Sequence, residues 1–175
     1  MAGPRRRWGW HRLDGEEAAR LVAEAGVGRG DLVLDVGAGT GALTEPLLAA
    51  GARVVAVELH PGRAAALRER FPGAVVVRAD AGDLRLPRRP FHVVANPPFA
   101  RSGALLRRLL QPGGRLLSAH LVLQEQAARR WASPSAPAAG RWSRVFDVSL
   151  GRRVPRRAFT PPPPVDARVL VVRRR

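Results

Sequence analysis

The chain has 175 residues, no cysteine, and 30 basic against 14 acidic residues, which gives a formal charge of +16. Without cysteine there can be no disulfide, thiolate metal ligand or thiol nucleophile, and the four histidines are too scattered for a zinc motif, so we expect no metal. The lack of cysteine also fits a reducing compartment, so we expect a cytoplasmic protein. No apolar run approaches the roughly 18 residues of a membrane span, so we expect no membrane attachment.

Every basic residue in the chain is an arginine. GC-rich coding favours arginine over lysine, but it does not explain the excess of basic over acidic residues. An excess of this size favours a polyanionic partner, because arginine contacts displace counterions from phosphates. An anionic membrane surface is the alternative, yet the sequence shows no basic amphipathic helix of the kind that binds there. We therefore predict a nucleic acid partner.

Taken in chain order, residues 1–15 are predicted to form a basic arm that interleaves arginines with Trp8 and Trp10. A helix follows with Asp14 as its cap, and short apolar strands then alternate with helices over residues 16–175. Apolar strands separated by helices are typical of a parallel sheet covered on both faces, so we predict an α/β fold with a mostly parallel, seven-stranded sheet. The predicted strands lie in DLVLDV, ARVVAVEL, AVVVRAD, FHVVAN, RLLSAHLVL, RWSRVFDVSL and VDARVLVVRRR.

Two later segments lack a regular pattern. SPSAPAAG, Ser133 to Gly140, is predicted to be a flexible loop of small residues. The prolines of FTPPPP favour an extended polyproline II segment that leads into an edge strand, and a proline-rich peptide ligand is the alternative.

The first glycine-rich turn is DVGAGTG, in which Gly37, Gly39 and Gly41 follow a predicted strand and precede a helix. Glycine in this position lets the backbone approach a ligand closely. The spacing is G-x-G-x-G rather than the G-x-G-x-x-G of pyrophosphate-binding turns. Asp35, at the end of the strand, would repel a pyrophosphate but suits a cationic amino-acid group.

Acidic residues also end the next two predicted strands. Glu58 could accept both hydroxyls of a ribose, and Asp80 could accept from an adenine amino group. Each feature alone is often an ordinary turn or cap. Because the carboxyl ends of parallel strands share one edge of the sheet, the ordered series predicts a site for an adenosine with a positive tail. S-adenosylmethionine fits this description.

The stretch VVANPPFARS ends the fourth predicted strand on Asn96. Two adjacent prolines remove two backbone donors, so a central strand must stop here. A rigid tip that is polar and then aromatic suits a flat group that lies against it. A proline-terminated strand with a core phenylalanine is the alternative.

These motifs resemble those of a known family. DVGAGTGALT, VVAVELH, RADAGDLRLP and NPPF resemble, in order, the motifs of Rossmann-like class I S-adenosylmethionine methyltransferases. LVLQEQAARRW and RVPRRAFTPPPPVDA resemble segments of the rRNA adenine N6-methyltransferases, which include the Erm macrolide-resistance enzymes and their dimethyladenosine relatives. The resemblance spans roughly residues 8–172. The family's tail pattern V-P-x-x-x-F-x-P-x-P-x-V-D is matched by Val154, Pro155, Phe159, Pro161, Pro163, Val165 and Asp166.

The resemblance implies methyl transfer from S-adenosylmethionine to N6 of an adenine in 23S rRNA, naked or in a precursor particle, with resistance to macrolide-type antibiotics as the result. A monomer would position donor and acceptor without a metal or a strong base. The predicted catalytic residues are Asn96, Pro97 and Phe99. The Asn96 side-chain oxygen and the Pro97 carbonyl could accept both amino hydrogens of the adenine, and Phe99 offers a stacking face worth about 1–3 kcal/mol. The predicted cofactor-binding residues are Asp35, Gly37, Ala38, Gly39, Gly41, Glu58, Leu59, Asp80, Ala81 and Asn96.

The chain departs from the family pattern in three ways. Erm enzymes usually carry an aliphatic residue where Pro97 stands, and the usual N-terminal glutamine-asparagine-phenylalanine motif is replaced by WGWHRLD. We also expect the family's helical C-terminal RNA-binding domain to be absent, as in short Erm variants. The catalytic domain would then hold RNA itself. The arginines predicted to do so are Arg5, Arg6, Arg7, Arg101, Arg107, Arg108, Arg129 and Arg130.

Two other functions remain open at this point. The NPPF motif is also close to those of protein-glutamine methyltransferases, so a protein or small-molecule N-methyltransferase is the first alternative. A non-catalytic RNA-binding module with a decayed site is the second. Trp8 and Trp10 could stack on nucleotides or pack over the cofactor.

Overall fold

The computed structural model describes residues 10–175; the predicted Arg5, Arg6, Arg7 and Trp8 lie outside the described residues. The strands are β1 (Arg12–Leu13), β2 (Leu32–Val36), β3 (Arg53–Val57), β4 (Val75–Val77), β5 (Phe91–Ala95), β6 (Leu116–Gln124), β7 (Phe146–Val154), β8 (Phe159–Thr160) and β9 (Ala167–Arg174). The α-helices are α1 (Gly15–Ala25), α2 (Thr44–Ala49), α3 (Pro61–Arg70), α4 (Ser102–Leu109), α5 (Glu125–Trp131) and α6 (Ala139–Trp142).

Seven of these strands form one sheet in the order β4-β3-β2-β5-β6-β9-β7. The first five in this order are mutually parallel, and β9 is antiparallel to both of its neighbours. The predicted mostly parallel, seven-stranded sheet is therefore confirmed. The remaining strands, β1 and β8, form a separate antiparallel pair.

Helices cover both faces of the large sheet, as predicted. Leu32, Leu34 and Val36 of β2 belong to a buried cluster with side chains of α4 and α5. Val33, between them, belongs to a second cluster with α1 and α2. Successive strand residues point to opposite faces, so a strand buried on both faces must be apolar throughout, which is why the sequence showed unbroken apolar runs.

Local signals set the ends of the first helix. The Asp14 carboxylate accepts the Glu17 N–H at 2.8 Å, which confirms the predicted cap. Gly26 ends the helix in the left-handed region, at φ 65°.

Two predictions for the C-terminal third were wrong. The strand expected to start at residue 141 starts at Phe146 and continues to Val154, and the end of the predicted flexible loop forms α6 instead. The cause is Trp142, which is buried and donates from Nε1 to the Pro137 carbonyl at 2.9 Å, holding the chain in a turn. Ala136, inside that loop, is also buried.

The last strand is not an edge strand, which corrects the second prediction. Strand β9 lies between β6 and β7, and β7 forms the edge. Leu170 and Val172 of β9 are buried on one face and Val169 on the other, so this strand needs cover on both faces. The proline segment before β9 therefore does not lead into an edge strand. It is held at its start by Phe159, which pairs with Leu13 of β1.

The parallel strands define two opposite edges. We call the edge where β2, β3, β4, β5 and β6 end the carboxyl edge, and the edge where they begin the amino edge. The glycine turn follows β2 and Asn96 follows β5, and these strands pair in parallel through Val33 with His92 and Leu34 with Val93. Both predicted site segments therefore leave the sheet side by side at the carboxyl edge.

Candidate active site

The glycine turn, residues 37–41, and the segment after β5, residues 96–101, which we call the tip, are in direct contact. Gly37 has φ 79°, and a Cβ on it would lie 2.8 Å from Pro98 Cδ and 3.3 Å from Pro97 Cα. The Gly37 and Ala38 N–H groups donate to the Val57 carbonyl at 2.8 and 3.0 Å, which holds the turn above the end of β3. Glycine is required at 37 both for the backbone conformation and for this close approach.

Gly39 and Gly41 also lie in the left-handed region, at φ 60° and 92°. A Cβ on Gly41 would overlap the Phe71 ring, and one on Gly39 would overlap Trp10 Nε1. Packing from two sides therefore fixes the turn.

Asp35 lies beneath the turn and is 1% exposed. Burial raises the pKa of its carboxyl to about 7; the hydrogen bond from Thr44 Oγ1, at 2.7 Å, opposes this rise, and the nearby Glu58 charge adds to it. Near neutral pH this carboxyl is divided between its charged and neutral forms. A cationic ligand group beside it would favour the charged form.

Replacing Asp35 with asparagine should remove part of the pH dependence of stability. Because the folded pKa of Asp35 is about 7 and its unfolded value about 4, the folded protein keeps a proton that the unfolded chain loses between these pH values. The free energy of unfolding should therefore fall by up to about 4 kcal/mol as the pH rises from 4 to 7. Urea denaturation of the native chain and of Asp35→Asn across pH 4–8 measures this fall as a difference profile.

The difference profile also removes the contribution of His120. Burial lowers the pKa of that imidazole to about 4, which makes stability rise with pH over a similar range, but it does so in both chains. Thr44→Val tests the same carboxyl from the other side. Losing the Thr44 hydroxyl should raise the pKa of Asp35 further, so the fall in the free energy of unfolding should extend to higher pH. A flat difference profile would show that Asp35 ionises normally.

Glu58 stands at the end of β3, as predicted, and is 3% exposed. Its Oε2 accepts the Gly39 N–H at 2.8 Å, and its Oε1 accepts the His60 N–H at 2.8 Å and Arg63 Nη2 at 3.1 Å. The carboxylate thus ties the glycine turn to the start of α3. Its predicted contact with a ribose stays a prediction, because hydroxyls there would compete with these donors.

Asp80 was predicted to end the third strand, but β4 stops at Val77, and Asp80 lies in the following loop, where it contacts the tip after β5. One carboxylate oxygen accepts the Gly82 N–H at 2.8 Å and caps a short 3-10 turn, and the other lies 3.0 Å from Arg101 Nη2. Two other predicted cofactor-binding residues follow these carboxylates in sequence: Ala81, after Asp80, is buried, and Leu59, after Glu58, is 37% exposed. The predicted contact of Asp80 with an adenine also stays a prediction.

Asn96 has one end of its amide held and the other end free. Nδ2 donates to the His11 carbonyl at 2.8 Å, whereas Oδ1 is buried and has no hydrogen-bond partner among residues 10–175. A carbonyl can only accept, so this contact fixes Oδ1 as the free end. A buried acceptor without a partner is unfavourable by about 1–3 kcal/mol, and a ligand that donates to it removes that penalty.

Trp10 packs over the glycine turn, so its predicted contact with nucleotides or with the cofactor stays a prediction. Its ring fills the space beside Gly39, and the Arg63 guanidinium lies 5.1 Å from the ring centroid. The hollow bounded by Trp10, Asp35 and Asn96 has a volume of only about 20 Å³, room for about one water molecule.

His11 covers the neighbouring part of the site. Its ring stacks on Phe99 at a centroid distance of 5.8 Å, with 28° between the planes. Its Nδ1 donates to the Pro161 carbonyl at 2.8 Å. No sequence signal marked this residue, because its partners lie 85 and 150 positions along the chain.

The predicted RNA-binding arginines are spread over several surfaces. Arg101 lies at the tip and pairs with Asp80. The pairs on α4 and α5 lie about 6–9 Å down the helix axes from the carboxyl edge. Exposed arginines near the carboxyl edge that were not predicted include Arg12, which lines the hollow, and Arg157, beside β8. The helix pairs are Arg107 with Arg108 and Arg129 with Arg130.

A profile described as "Ribosomal RNA adenine dimethylase" matches residues 13–175. The chain belongs to this family. The rRNA adenine N-6-methyltransferase of Corynebacterium diphtheriae is 39% identical over 146 residues, which cover 81% of this chain and 57% of that protein. The ribosomal RNA small subunit methyltransferase A of Thermosynechococcus vestitus is 39% identical over 188 residues, 99% of this chain and 71% of that protein. The chain thus spans little more than half the length of the Corynebacterium relative.

Among solved structures, the 23S rRNA methyltransferase ErmE superposes with a TM-score of 0.81 at 31% identity, covering 95% of this chain and 70% of that one. The predicted Rossmann-like class I methyltransferase fold is therefore confirmed.

In this member of the rRNA adenine dimethylase family, the selective tail pattern has a structural role at the site. Phe159 is buried and pairs with Leu13, and the Ala158 carbonyl accepts the Asp14 N–H at 2.8 Å. The tail thereby holds the N-terminal segment, with Trp10 and His11, over the carboxyl edge.

Two further features bear on ligands. None of the helices in the described range 10–175 is long and apolar enough to span a bilayer. Within the same range, no three side chains of the types that ligate metals are gathered at one place.

Proposed function

We propose that this chain transfers a methyl group from S-adenosylmethionine to N6 of an adenine in 23S rRNA and so confers resistance to macrolide-type antibiotics. The observation that carries the proposal is the free Oδ1 of Asn96, a buried acceptor beside the glycine turn. Membership of the rRNA adenine dimethylase family supports an RNA substrate. The likeness to ErmE supports 23S rRNA as the target.

The residues around the hollow fit S-adenosylmethionine, which supplies a sulfonium methyl group when bound. The Asp35 carboxylate, with its pKa near neutrality, suits a cationic amino-acid group, and the glycine turn leaves no side chain in the way. A ligand of this size needs far more room than one water molecule, so the Trp10 ring must move aside before the cofactor enters.

Asn96 and Pro97 then position the reacting adenine. Asn96 Oδ1 and the Pro97 carbonyl accept the two amino hydrogens, so the lone pair of the nitrogen is freed from the ring and can point towards the donor. Phe99 stacks on the base, which completes or replaces the stack with His11. The base must leave its own stack to reach this place, which suits an adenine in an RNA loop.

Catalysis in this scheme is positioning of donor and acceptor, and the proton leaves to solvent after the methyl group has transferred. The proposal includes a monomeric enzyme that works in the cytoplasm without a metal. Its substrate is naked 23S rRNA or a precursor particle.

A labelling experiment tests the proposal. The purified chain is incubated with methyl-labelled S-adenosylmethionine and, separately, with 23S rRNA, 16S rRNA or total cell protein. We expect label in N6-methyladenosine from 23S rRNA, and primer extension then locates the base. Label in 16S rRNA would move the target to the small subunit, as the name of the Thermosynechococcus relative suggests. Label on protein alone would favour a glutamine methyltransferase, and failure to bind the cofactor would favour the RNA-binding module.

A further inference from the structure

Arginines line the amino edge of the sheet, on the side opposite the candidate active site. Six neighbouring strands of the sheet, in the order β3-β2-β5-β6-β9-β7, each have at least one arginine at this edge. The arginines stand where the strands begin, except for the antiparallel β9, where they stand at its end. The pairing register supports this placement, since Arg53 is opposite Leu32 and Arg174 is opposite Phe146. The set comprises Arg29, Arg53, Arg88, Arg89, Arg115, Arg144, Arg173, Arg174 and Arg175.

Most of these side chains are free. Seven of the nine are exposed and form no ion pair within residues 10–175. The exceptions are Arg174, which donates to the Leu116 and Gly114 carbonyls, and Arg175, which pairs with Asp147 at 2.5 Å. The other acidic residue at these strand ends is Asp31, whose carboxylate accepts the Gly28 N–H. The amino edge therefore carries a large uncompensated positive charge.

The dimensions of this row suit a nucleic acid backbone. Neighbouring strands lie about 4.8 Å apart, so six strands span about 24 Å. That length faces several successive phosphates of one RNA strand, and guanidinium groups bind phosphate oxygens in pairs. Strands of five residues separate this row from the carboxyl edge by about 17 Å, so one phosphate cannot contact both edges.

The composition of the edge favours RNA over a membrane. Binding to a bilayer surface needs apolar side chains that insert beside the charges. Of the large apolar side chains that are exposed in the described residues, Leu117 lies within the arginine row, and Val75 begins β4, the strand outside that row. Phosphate contacts without exposed aromatic rings give affinity and orientation but no reading of sequence.

We propose that the amino edge is a second, sequence-independent RNA-binding surface, which holds a folded part of the substrate RNA away from the reacting adenine. The identity of this RNA as rRNA rests on the proposed function; the binding itself does not.

The test compares two double variants with the same net charge. Arg115→Gln with Arg144→Gln removes two free charges from the amino edge. The control, Arg20→Gln with Arg68→Gln, removes two exposed charges from the surfaces of α1 and α3. Binding to a folded 23S rRNA fragment is measured without cofactor, by fluorescence anisotropy over a series of salt concentrations. A second edge pair, Arg53→Gln with Arg173→Gln, repeats the test on other strands should the first variant fold poorly.

We expect the edge variants to bind RNA about tenfold more weakly than the control, with the slope of log K against log salt shallower by about one to two. The KM for folded rRNA should rise while kcat stays unchanged, and a short single-stranded substrate should be methylated equally by all chains. Equal affinities and slopes for edge and control variants would overturn the proposal. So would an edge-dependent loss of binding to phosphatidylserine vesicles with RNA binding unchanged. If no chain methylates RNA but binding still depends on the edge, the proposed function fails and this inference stands.

Discussion

Replacing Asn96 with alanine should lower the rate of methyl transfer by about 100- to 1,000-fold, the range seen when one preorganised polar group is removed from a transition state. The change removes Oδ1, the buried acceptor that has no partner among residues 10–175. It also removes the hydrogen bond that Asn96 Nδ2 donates to the His11 carbonyl in the native chain. Single-turnover methylation measures the rate, and calorimetry with S-adenosylmethionine should show cofactor affinity changed by much less.

Two other variants separate the roles of the two amide ends. Asn96→Asp keeps an acceptor oxygen but cannot donate to the His11 carbonyl, so we expect an intermediate rate. His11→Ala keeps the backbone carbonyl and removes the ring that stacks on Phe99, so Asn96 should stay oriented while base binding changes. Full activity in Asn96→Ala would eliminate the mechanism, whatever the substrate.

The parts of the site that the sequence predicted depend on neighbours in the chain. The glycine turn follows a strand of five buried residues, and the two prolines after Asn96 must end a strand. Because parallel strands end at one edge, these local signals were enough to place Gly37 and Asn96 in contact.

The parts that were missed depend on residues far apart in sequence. The stacking of His11 on Phe99 and the pairing of Arg101 with Asp80 join segments that only the complete fold brings together. The position of β9 is a similar case. Its apolar pattern suits either an edge or an internal strand. It is internal because β7 pairs with the side of β9 that faces away from β6.

Asp35 and Glu58 stand at the ends of β2 and β3 as predicted, whereas Asp80 lies beyond the end of β4, and Glu58 and Asp80 have more partners than their positions suggested. Glu58 accepts from Gly39, His60 and Arg63, and Asp80 accepts from Gly82 and pairs with Arg101. Sequence spacing gives the strand end at which a carboxylate stands. It does not give the donors that surround it, because those come from the loops of other strands.

Replacing Gly37 with alanine should impair both halves of the site at once. The new Cβ would lie 2.8 Å from Pro98 Cδ, and φ 79° is a backbone conformation that alanine adopts poorly. The proline ring is rigid and the contact to Pro97 is with backbone, so the turn and the tip must separate. We expect the free energy of unfolding to fall by about 1–3 kcal/mol. Affinity for S-adenosylmethionine should fall by at least about tenfold, measured by calorimetry.

Gly113→Ala is the matched control for this substitution. A Cβ on Gly113 would have no atom within 4 Å, and the residue does not have positive φ, so stability and cofactor affinity should stay within about 0.5 kcal/mol of the native values. If Gly37→Ala binds the cofactor as tightly as Gly113→Ala, then the contact between the glycine turn and the Asn96 tip is not what positions the ligand. Donor and acceptor would in that case have to meet elsewhere along the carboxyl edge.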